Sequence, residues 1–313
     1  MDDSEPTYND FRREVTDKII RLLEEGTAPW QQPWDAENSL TIPHNPTTNK
    51  SYRGGNILHL ITVGMERGFT DPRWMTYKQA QAHGWQVRRG EKGSRVEYWA
   101  VKEIDKPGDS VTTSKIDSSG DHRRTRYIHR TYQVFNASQI DGVPPYGGKK
   151  HTHFEAVEAG ETIMSGSGAS ISHDQIKKAY YNRATDSIHL PPREFFLSAP
   201  GYYGTALHEL AHWTGHPSRL KRDTLNESYR FGDMKYAQEE LRAELASFFL
   251  AAERGIPHDP ASTAAYVDSW VKALKNDKDE IFRAAADASK ITDYMLKRGR
   301  GEALTEASDL LEG

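Results

Sequence analysis

Two histidines four residues apart, with a glutamate directly after the first, stand in the segment His208-Glu209-Leu210-Ala211-His212. On a helix, positions i and i+4 share one face, so both imidazoles can reach a single ion. The glutamate between them points to an adjacent angle, where its carboxylate can take a proton from a metal-bound water. A hydrolytic metal centre also needs a third protein ligand and one open position. Glu240 and Glu244 are the candidates, four apart on the following helix and beyond the connector Gly215–Lys235. Glu240 is assigned as the ligand and Glu244 as the group that hydrogen-bonds a ligating histidine. Glu244 falls among Leu241, Leu245 and Phe248, a poor place for a carboxylate with no task, whereas Glu239 is assigned to a solvated helix face.

The chemistry of such a centre is peptide-bond hydrolysis. A bound divalent metal brings the pKa of its water from ~15.7 to about 7 and polarises the scissile carbonyl. Glu209 is the expected general base, passing the proton to the leaving amine. Zn2+ is the expected cofactor, and Co2+, Mn2+ or Ni2+ suit the same donors. Tyr202, Tyr203, Tyr229 and Tyr236 are all near enough in sequence to stabilise an oxyanion, and the sequence does not choose among them. His151, His153, His173, His189 and His216 are assigned structural roles.

The elements that must hold these residues are readable from periodicity. Tyr203–Thr214 is expected to be a helix ended by Gly215 and Pro217, and Tyr236–Glu253 a second with Leu241, Leu245, Phe248 and Phe249 on its apolar side. Between Lys177 and Leu190, two short strands flank a polar turn; such a hairpin beside the metal helix could bind an extended peptide at its edge. Ala264–Leu274 and Glu280–Lys297 add helices, as do the segment near Glu155–Ser165 and, at the start, the apolar spacing of Phe11, Val15, Ile19 and Leu23 before Gly26. Thr76–Ala82 reads as a short helix. Val96–Lys102 and Tyr127–Phe135 read as strands, and the polar stretch Ile104–Arg126 between them as a loop. Asp141–Lys150 is the best linker. The reading is therefore α+β, with domains at 1–145 and 146–300 and a tail at 301–313.

Composition narrows the class further. The 313 residues contain no cysteine, which excludes disulfides, thiolate nucleophiles and cysteine zinc sites. No window approaches 18 apolar residues, and the acidic start MDDSEPTYND lacks the features of a signal peptide. No membrane partner is expected, and the cytoplasm is the default location. The formal net charge is −4, yet Lys50–Lys102 holds ten basic residues against four acidic ones. Five of the seven tryptophans precede residue 100. Cations that track phosphates, interleaved with rings that stack on bases, are what single-stranded nucleic acid requires. Arg53, Arg73, Trp74, Lys78, Trp85, Arg88, Arg89 and Lys92 are the candidate contacts.

Longer segments are more specific. They include Pro29-Trp30, Pro33-Trp34, Tyr52-Arg53-Gly54-Gly55-Asn56, Pro72-Arg73-Trp74-Met75-Thr76-Tyr77 and Val87-Arg88-Arg89-Gly90-Glu91-Lys92-Gly93. Tyr203-Gly204-Thr205-Ala206-Leu207 before His208, and Glu239-Glu240-Leu241-Arg242-Ala243-Glu244, continue the series. In this order they resemble the plasmid antirestriction family typified by ArdC, whose N-terminal part is shared with TraC-type conjugative primases. The resemblance implies a single-stranded-DNA-binding N-terminal α+β domain joined to a zincin-like metalloprotease domain, protecting incoming conjugative DNA in a recipient. It implies His208 and His212 as ligands, Glu209 as base and the Glu240 segment as source of the third ligand. The protein substrate is left unknown. The alternative is a DNA-protecting protein without proteolysis, whose metal only stabilises the fold. Two departures stand out: Gly55 occupies a position where an apolar residue is expected, and the 104–126 segment is longer and more polar than expected.

Overall fold

The computed structural model describes residues 8–31, 41–103, 113–116, 122–148, 152–226, 233–256 and 263–302. Along the chain these form α1 (Tyr8–Glu24), β1 (His44–Asn45), β2 (Lys50–Ser51), α2 (Gly55–Arg67), β3 (Trp74–Thr76), α3 (Tyr77–Ala82), β4 (Gln86–Val87), β5 (Ser94–Glu103), β6 (Thr113–Ile116), β7 (His122–Asn136) and β8 (Ile140–Asp141). There follow α4 (His153–Ser167), β9 (Ser170–Ser172), β10 (Tyr180–Asn182), β11 (Ser187–His189), α5 (Ala199–Trp213), α6 (Asp223–Asn226), α7 (Met234–Arg254), α8 (Val267–Asn276) and α9 (Glu280–Gly299). Tyr229, His151, Trp34 and the tail beyond residue 302 lie outside the described residues, as do 104–112 and 117–121.

Two compact units result. Of the described residues, the first unit takes those before residue 44, residues 51–68 and everything from Tyr146 onward; the second takes 44–50 and 69–145. The sequence reading keeps residues 1–145 together, but α1 and α2 pack in the unit that carries the metal helix. The cause is apolar surface. Phe11, Val15, Ile19 and Leu23 of α1 and Ile57, Leu58 and Ile61 of α2 belong to one core with Leu241, Phe248, Trp270, Leu274 and Ile281. Polar contacts fix the arrangement: Thr16 Oγ1 donates to the Lys278 carbonyl at 2.6 Å, and Arg12 pairs with Asp279 at 3.2 Å.

The long α7 is the axis of this unit, buried along nearly its whole length rather than on one side. It packs against α5 and α9. Arg242 is buried with it, and its guanidinium is matched by Glu280 at 2.6 Å and Asp287 at 2.8 Å on α9. Gly55 is explained here, because a Cβ at that position would lie 2.3 Å from the Phe282 ring. The preceding Gly54, at φ 57°, donates its N–H to Ser289 Oγ at 3.0 Å.

Helix α2 has no counterpart in the sequence reading. Its N-cap is Gly54, which offers no side chain to bond the first turn, and the run Ile57–Gly64 is buried continuously. A helix apolar on all sides shows no 3.6-residue alternation. His59 lies within that run, and neither ring nitrogen has a hydrogen-bond partner. Burial, helped by Lys18, lowers its pKa from 6.5 to about 4. The native state therefore refuses a proton that the unfolded chain accepts below 6.5. Stability from this group is whole above pH 6.5 and is lost as pH falls toward 4. The His59 contribution is expected to drop by about 2 kcal/mol between pH 7 and pH 5. Urea unfolding of the parent and of His59→Leu at both pH values checks it: the variant should lose less.

In the second unit, β3, β7 and β5 form an antiparallel sheet in that order, with β6 also pairing β7. β4 pairs β8, and the short α3 begins with a capping box in which Thr76 and Gln79 exchange hydrogen bonds. Met75, Ala80, Val87, Ala137 and Ile140 make the core. The expected loop at 104–126 is in part strand: β5 and β7 pair as far as Glu103 and Thr125, and β6 occupies 113–116. The second short sheet, in the first unit, has the order β10-β11-β9; β10 pairs β11 antiparallel and β11 pairs β9 parallel. The expected hairpin is thus present, joined by a third strand.

Candidate metal centre and nucleic-acid surface

Helix α5 starts at Ser198, whose side chain accepts from the Gly201 N–H at 3.2 Å, and runs to Trp213. One face carries His208 and His212, with Nε2 atoms 3.2 Å apart. From α7, Glu240 enters between them: Oε2 is 3.3 Å from His208 Nε2 and Oε1 is 3.5 Å from His212 Nε2. Four donors around one ion at 2.0–2.1 Å would stand ~3.3–3.4 Å from one another at tetrahedral angles. The three donors already have that spacing, so the residues present fit a divalent metal. Among the described residues this is the one group of three that could hold an ion.

The opposite side of each imidazole faces a carboxylate. His208 Nδ1 lies 3.2 Å from Glu244 Oε2. His212 Nδ1 lies 3.2 Å from Glu239 Oε1. Since an ionised carboxylate can only accept, the Nδ1 of His212 must carry the hydrogen it gives Glu239, and its Nε2 is left to face the centre.

Glu239 corrects the sequence reading. Instead of lying on a solvated face it is fully buried, at 0% exposure. Arg222 donates to it through Nε at 3.1 Å and Nη2 at 2.6 Å, and Thr224 Oγ1 donates at 2.5 Å. Burial opposes its charge, but Arg222 and His212 outweigh burial and bring the pKa down to about 2. The same guanidinium donates to Thr214 Oγ1 and the Ala211 carbonyl, both at 2.7 Å, at the C-terminal end of α5, where positive charge is favoured. Gly215 admits it; a Cβ there would meet Arg222 at 2.7 Å. Nothing in residue spacing announces Arg222 or Thr224, which belong to a segment the sequence presents as a connector.

Glu209 is buried beside the two histidines. Burial raises its pKa, against the pull of His208 and His212, and the Tyr181 backbone N–H bonds its carboxylate. Tyr181 belongs to the edge strand β10, so the edge and the base are brought together. For both histidines burial disfavours the imidazolium, yet Glu240 and its neighbours outweigh it. His208 stands well above 6.5 and His212 is raised to about 9. Glu240 is correspondingly held below the carboxylate range despite its burial.

Of the four tyrosines, Tyr203 donates to Glu161 at 2.7 Å and Tyr202 meets His173 Nε2 at 3.0 Å. Tyr236, one turn before Glu240 on α7, interacts with that carboxylate, and its hydroxyl is 3.3 Å from that of Tyr266. Tyr266, which also feels Glu240, His208 and Glu209, escapes sequence reasoning because it follows 30 residues later. His189 sits between Asp174 at 2.9 Å and Ser187 at 2.9 Å, and His216 bonds Ser218 at 2.8 Å.

The candidate nucleic-acid contacts scatter. Arg53 pairs with Asp293 of α9 and belongs to the metal-site unit. Trp74 is 2% exposed and packs edge-on against Phe69, so its ring is core. Arg73 is clamped by Asp71 and the Pro144 carbonyl, at 2.7 and 2.8 Å. Trp85 is half-buried and stacks on His83. Lys78, Arg88, Arg89 and Lys92 are exposed. Arg88 and Arg89 line an open groove of about 580 Å³ with Tyr77 and Phe135, though Glu91 and Asp141 share it and pair with Arg88.

A helix with paired histidines, a second helix carrying a glutamate into their midst and an edge strand at the base define a zincin-like domain. The model of the zincin-like metallopeptidase family matches residues 158–287. That of the N-terminal domain of anti-restriction factor ArdC matches residues 9–135. The chain is 37% identical to antirestriction protein ArdC of plasmid R388 in a metal-free crystal structure, with a TM-score of 0.73, covering 94% of this chain and all of that one. A Mn(II)-bound structure of the same protein gives 35% identity and a TM-score of 0.69, covering 93% and 98% of the two chains. The protein y4eC of Sinorhizobium fredii (strain NBRC 101917 / NGR234) is 35% identical over 92% of both chains. The chain is also 51% identical to an Escherichia coli DNA primase TraC, over 91% of this chain but only 27% of the primase's length. It belongs to the ArdC antirestriction family.

Proposed function

We propose that this protein binds single-stranded DNA and hydrolyses a peptide bond at a metal centre, and that the two together protect incoming conjugative plasmid DNA in the cytoplasm of a recipient. The observation that carries the peptidase half is the convergence of His208, His212 and Glu240 beside the buried carboxylate of Glu209. Zn2+ or Mn2+ would be held by His208, His212 and Glu240; when bound, the ion supplies an acidified water and polarises a carbonyl. The chain's own residues do the rest. Glu239 and Glu244 fix the rings, Glu209 holds and moves the proton, and β10 offers an unpaired edge on which an extended substrate can align. A metal that served structure alone would favour a fourth protein donor, and only three converge among the described residues.

The strand-binding half rests on the second unit, with its exposed Lys78, Arg88, Arg89 and Lys92, and on the family match at residues 9–135. Two measurements test the whole. Isothermal titration of the chelator-treated chain with Mn2+ should give one site per chain, with hydrolysis of a mixed fluorogenic peptide pool appearing in step. Anisotropy of a labelled single strand should show binding that weakens as salt rises and exceeds that of the duplex. Metal uptake without cleavage of any peptide would reduce the centre to a structural one; equal, negligible binding of both DNAs would remove the strand.

A further inference from the structure

Past buried Val96 and Val134, β5 and β7 continue as a two-stranded ribbon. The register sets Tyr98 opposite Arg130 and Val96 opposite Tyr132, so Tyr98, Arg130 and Tyr132 share one face. Tyr98 is 48% and Tyr132 39% exposed, their rings edge-on with centroids 6.1 Å apart. Arg130, opposite Tyr98 and two residues before Tyr132 on β7, is exposed beside the two rings, and no carboxylate among the described residues pairs with it. On the other face Trp99 is 45% exposed, lying against His129 at 4.5 Å. Strand β7, from His122 to Asn136, contains four arginines and no acidic residue.

We infer that the Tyr98–Arg130–Tyr132 face of this ribbon is the surface on which the protein stacks the bases of a single strand, with the Arg130 guanidinium taking a phosphate. The inference rests on the strand-binding reading above and adds its place. Exposed rings stack with any base, and an unpaired cation beside them meets the backbone; sequence-tolerant binders are built from these two parts. Charge decides between this face and the groove at Arg88. There Glu91 and Asp141 already neutralise the arginine and would repel a phosphate, whereas among the described residues no carboxylate pairs with Arg130. Trp74 cannot contribute while it remains core.

The test is anisotropy of a fluorescein-labelled oligo-dT with the full chain over a series of salt concentrations. Five proteins are compared: the parent, Tyr98→Ala/Tyr132→Ala, Tyr98→Phe/Tyr132→Phe, Arg130→Gln and Lys78→Ala/Arg89→Ala. Loss of one stacked ring costs roughly 5- to 150-fold in affinity. The alanine pair should therefore bind at least ~20-fold more weakly, and the phenylalanine pair, which keeps both rings, should bind like the parent. Arg130→Gln should lower the slope of log K against log salt by about 0.7. Parent-like binding by the alanine pair overturns the assignment and leaves the face to a protein partner. A loss confined to Lys78→Ala/Arg89→Ala overturns it in favour of the groove. A loss in the phenylalanine pair equal to that in the alanine pair shows that stacking is not the cause. Failure of the parent itself to bind oligo-dT is a different result, which removes the strand-binding reading as a whole.

Discussion

Glu209→Gln is expected to leave metal uptake intact while peptide hydrolysis falls by about 10²- to 10⁴-fold, the usual contribution of a positioned acid-base group. The substitution keeps the size and planarity of the side chain and removes its ability to accept a proton. Glu209 is not among the converging donors, so the affinity for Mn2+ should stay within a few-fold of the parent. The residue is well chosen for the test because its surroundings are spent on holding a carboxylate: it is buried, adjoins both histidines and receives the Tyr181 N–H. Calorimetry with Mn2+ and peptide hydrolysis, measured on the same preparation, separate the two roles. The same variant decides how protection works in a mating assay. If incoming DNA survives restriction as well with Glu209→Gln as with the parent, metal still bound, proteolysis has no part in protection.

The second large effect concerns Glu239. Glu239→Ala should lose about 3–5 kcal/mol of stability, because it leaves the Arg222 charge buried and uncompensated. It should also weaken metal binding by about 10- to 100-fold, since His212 Nδ1 loses the acceptor that turns Nε2 to the centre. One variant cannot distinguish these consequences; a pair can. Glu239→Leu combined with Arg222→Met removes both charges and should recover most of the lost stability, as replacement of buried ion pairs by apolar groups often does. Metal affinity should remain low in the double variant. Chemical unfolding of the metal-free protein reads the first quantity and calorimetric Mn2+ titration the second. Recovery of both would show that Glu239 serves only to neutralise Arg222.

What the sequence discloses is local. His208, Glu209 and His212 are one helical turn, and Glu240 and Glu244 another, so the face each presents follows from spacing alone. The hairpin before them was legible for the same reason. Glu239 was not: its environment is set by Arg222 and Thr224, which reach it from a segment without periodicity. Trp74 and Tyr98 show a second limit. Both are aromatic residues in a basic stretch, and only tertiary packing makes one core and the other surface. In the 104–126 stretch, strand β6 is held by its pairing with β7, a long-range partner that local composition does not reveal. Helix α2 is missed because it is buried on every side along Ile57–Gly64, so no exposed face sets a period.

The placement of α1 bears on how the chain is made. Its apolar face, with Phe11, Val15 and Ile19, is completed by α8 and α9, some 270 residues later. A ribosome adding 5–20 residues per second needs roughly 10–60 s to cover that distance. For most of that interval α1 has only α2 to pack against, through Phe11 on His59 and Lys18 on Glu66, and the rest of its greasy stripe is available to whatever holds nascent chains. Residues 146–302 expressed alone would lack the same helix from the other side. The zincin-like domain is therefore not separable from α1, a helix whose packing is completed only when α8 and α9 have been made.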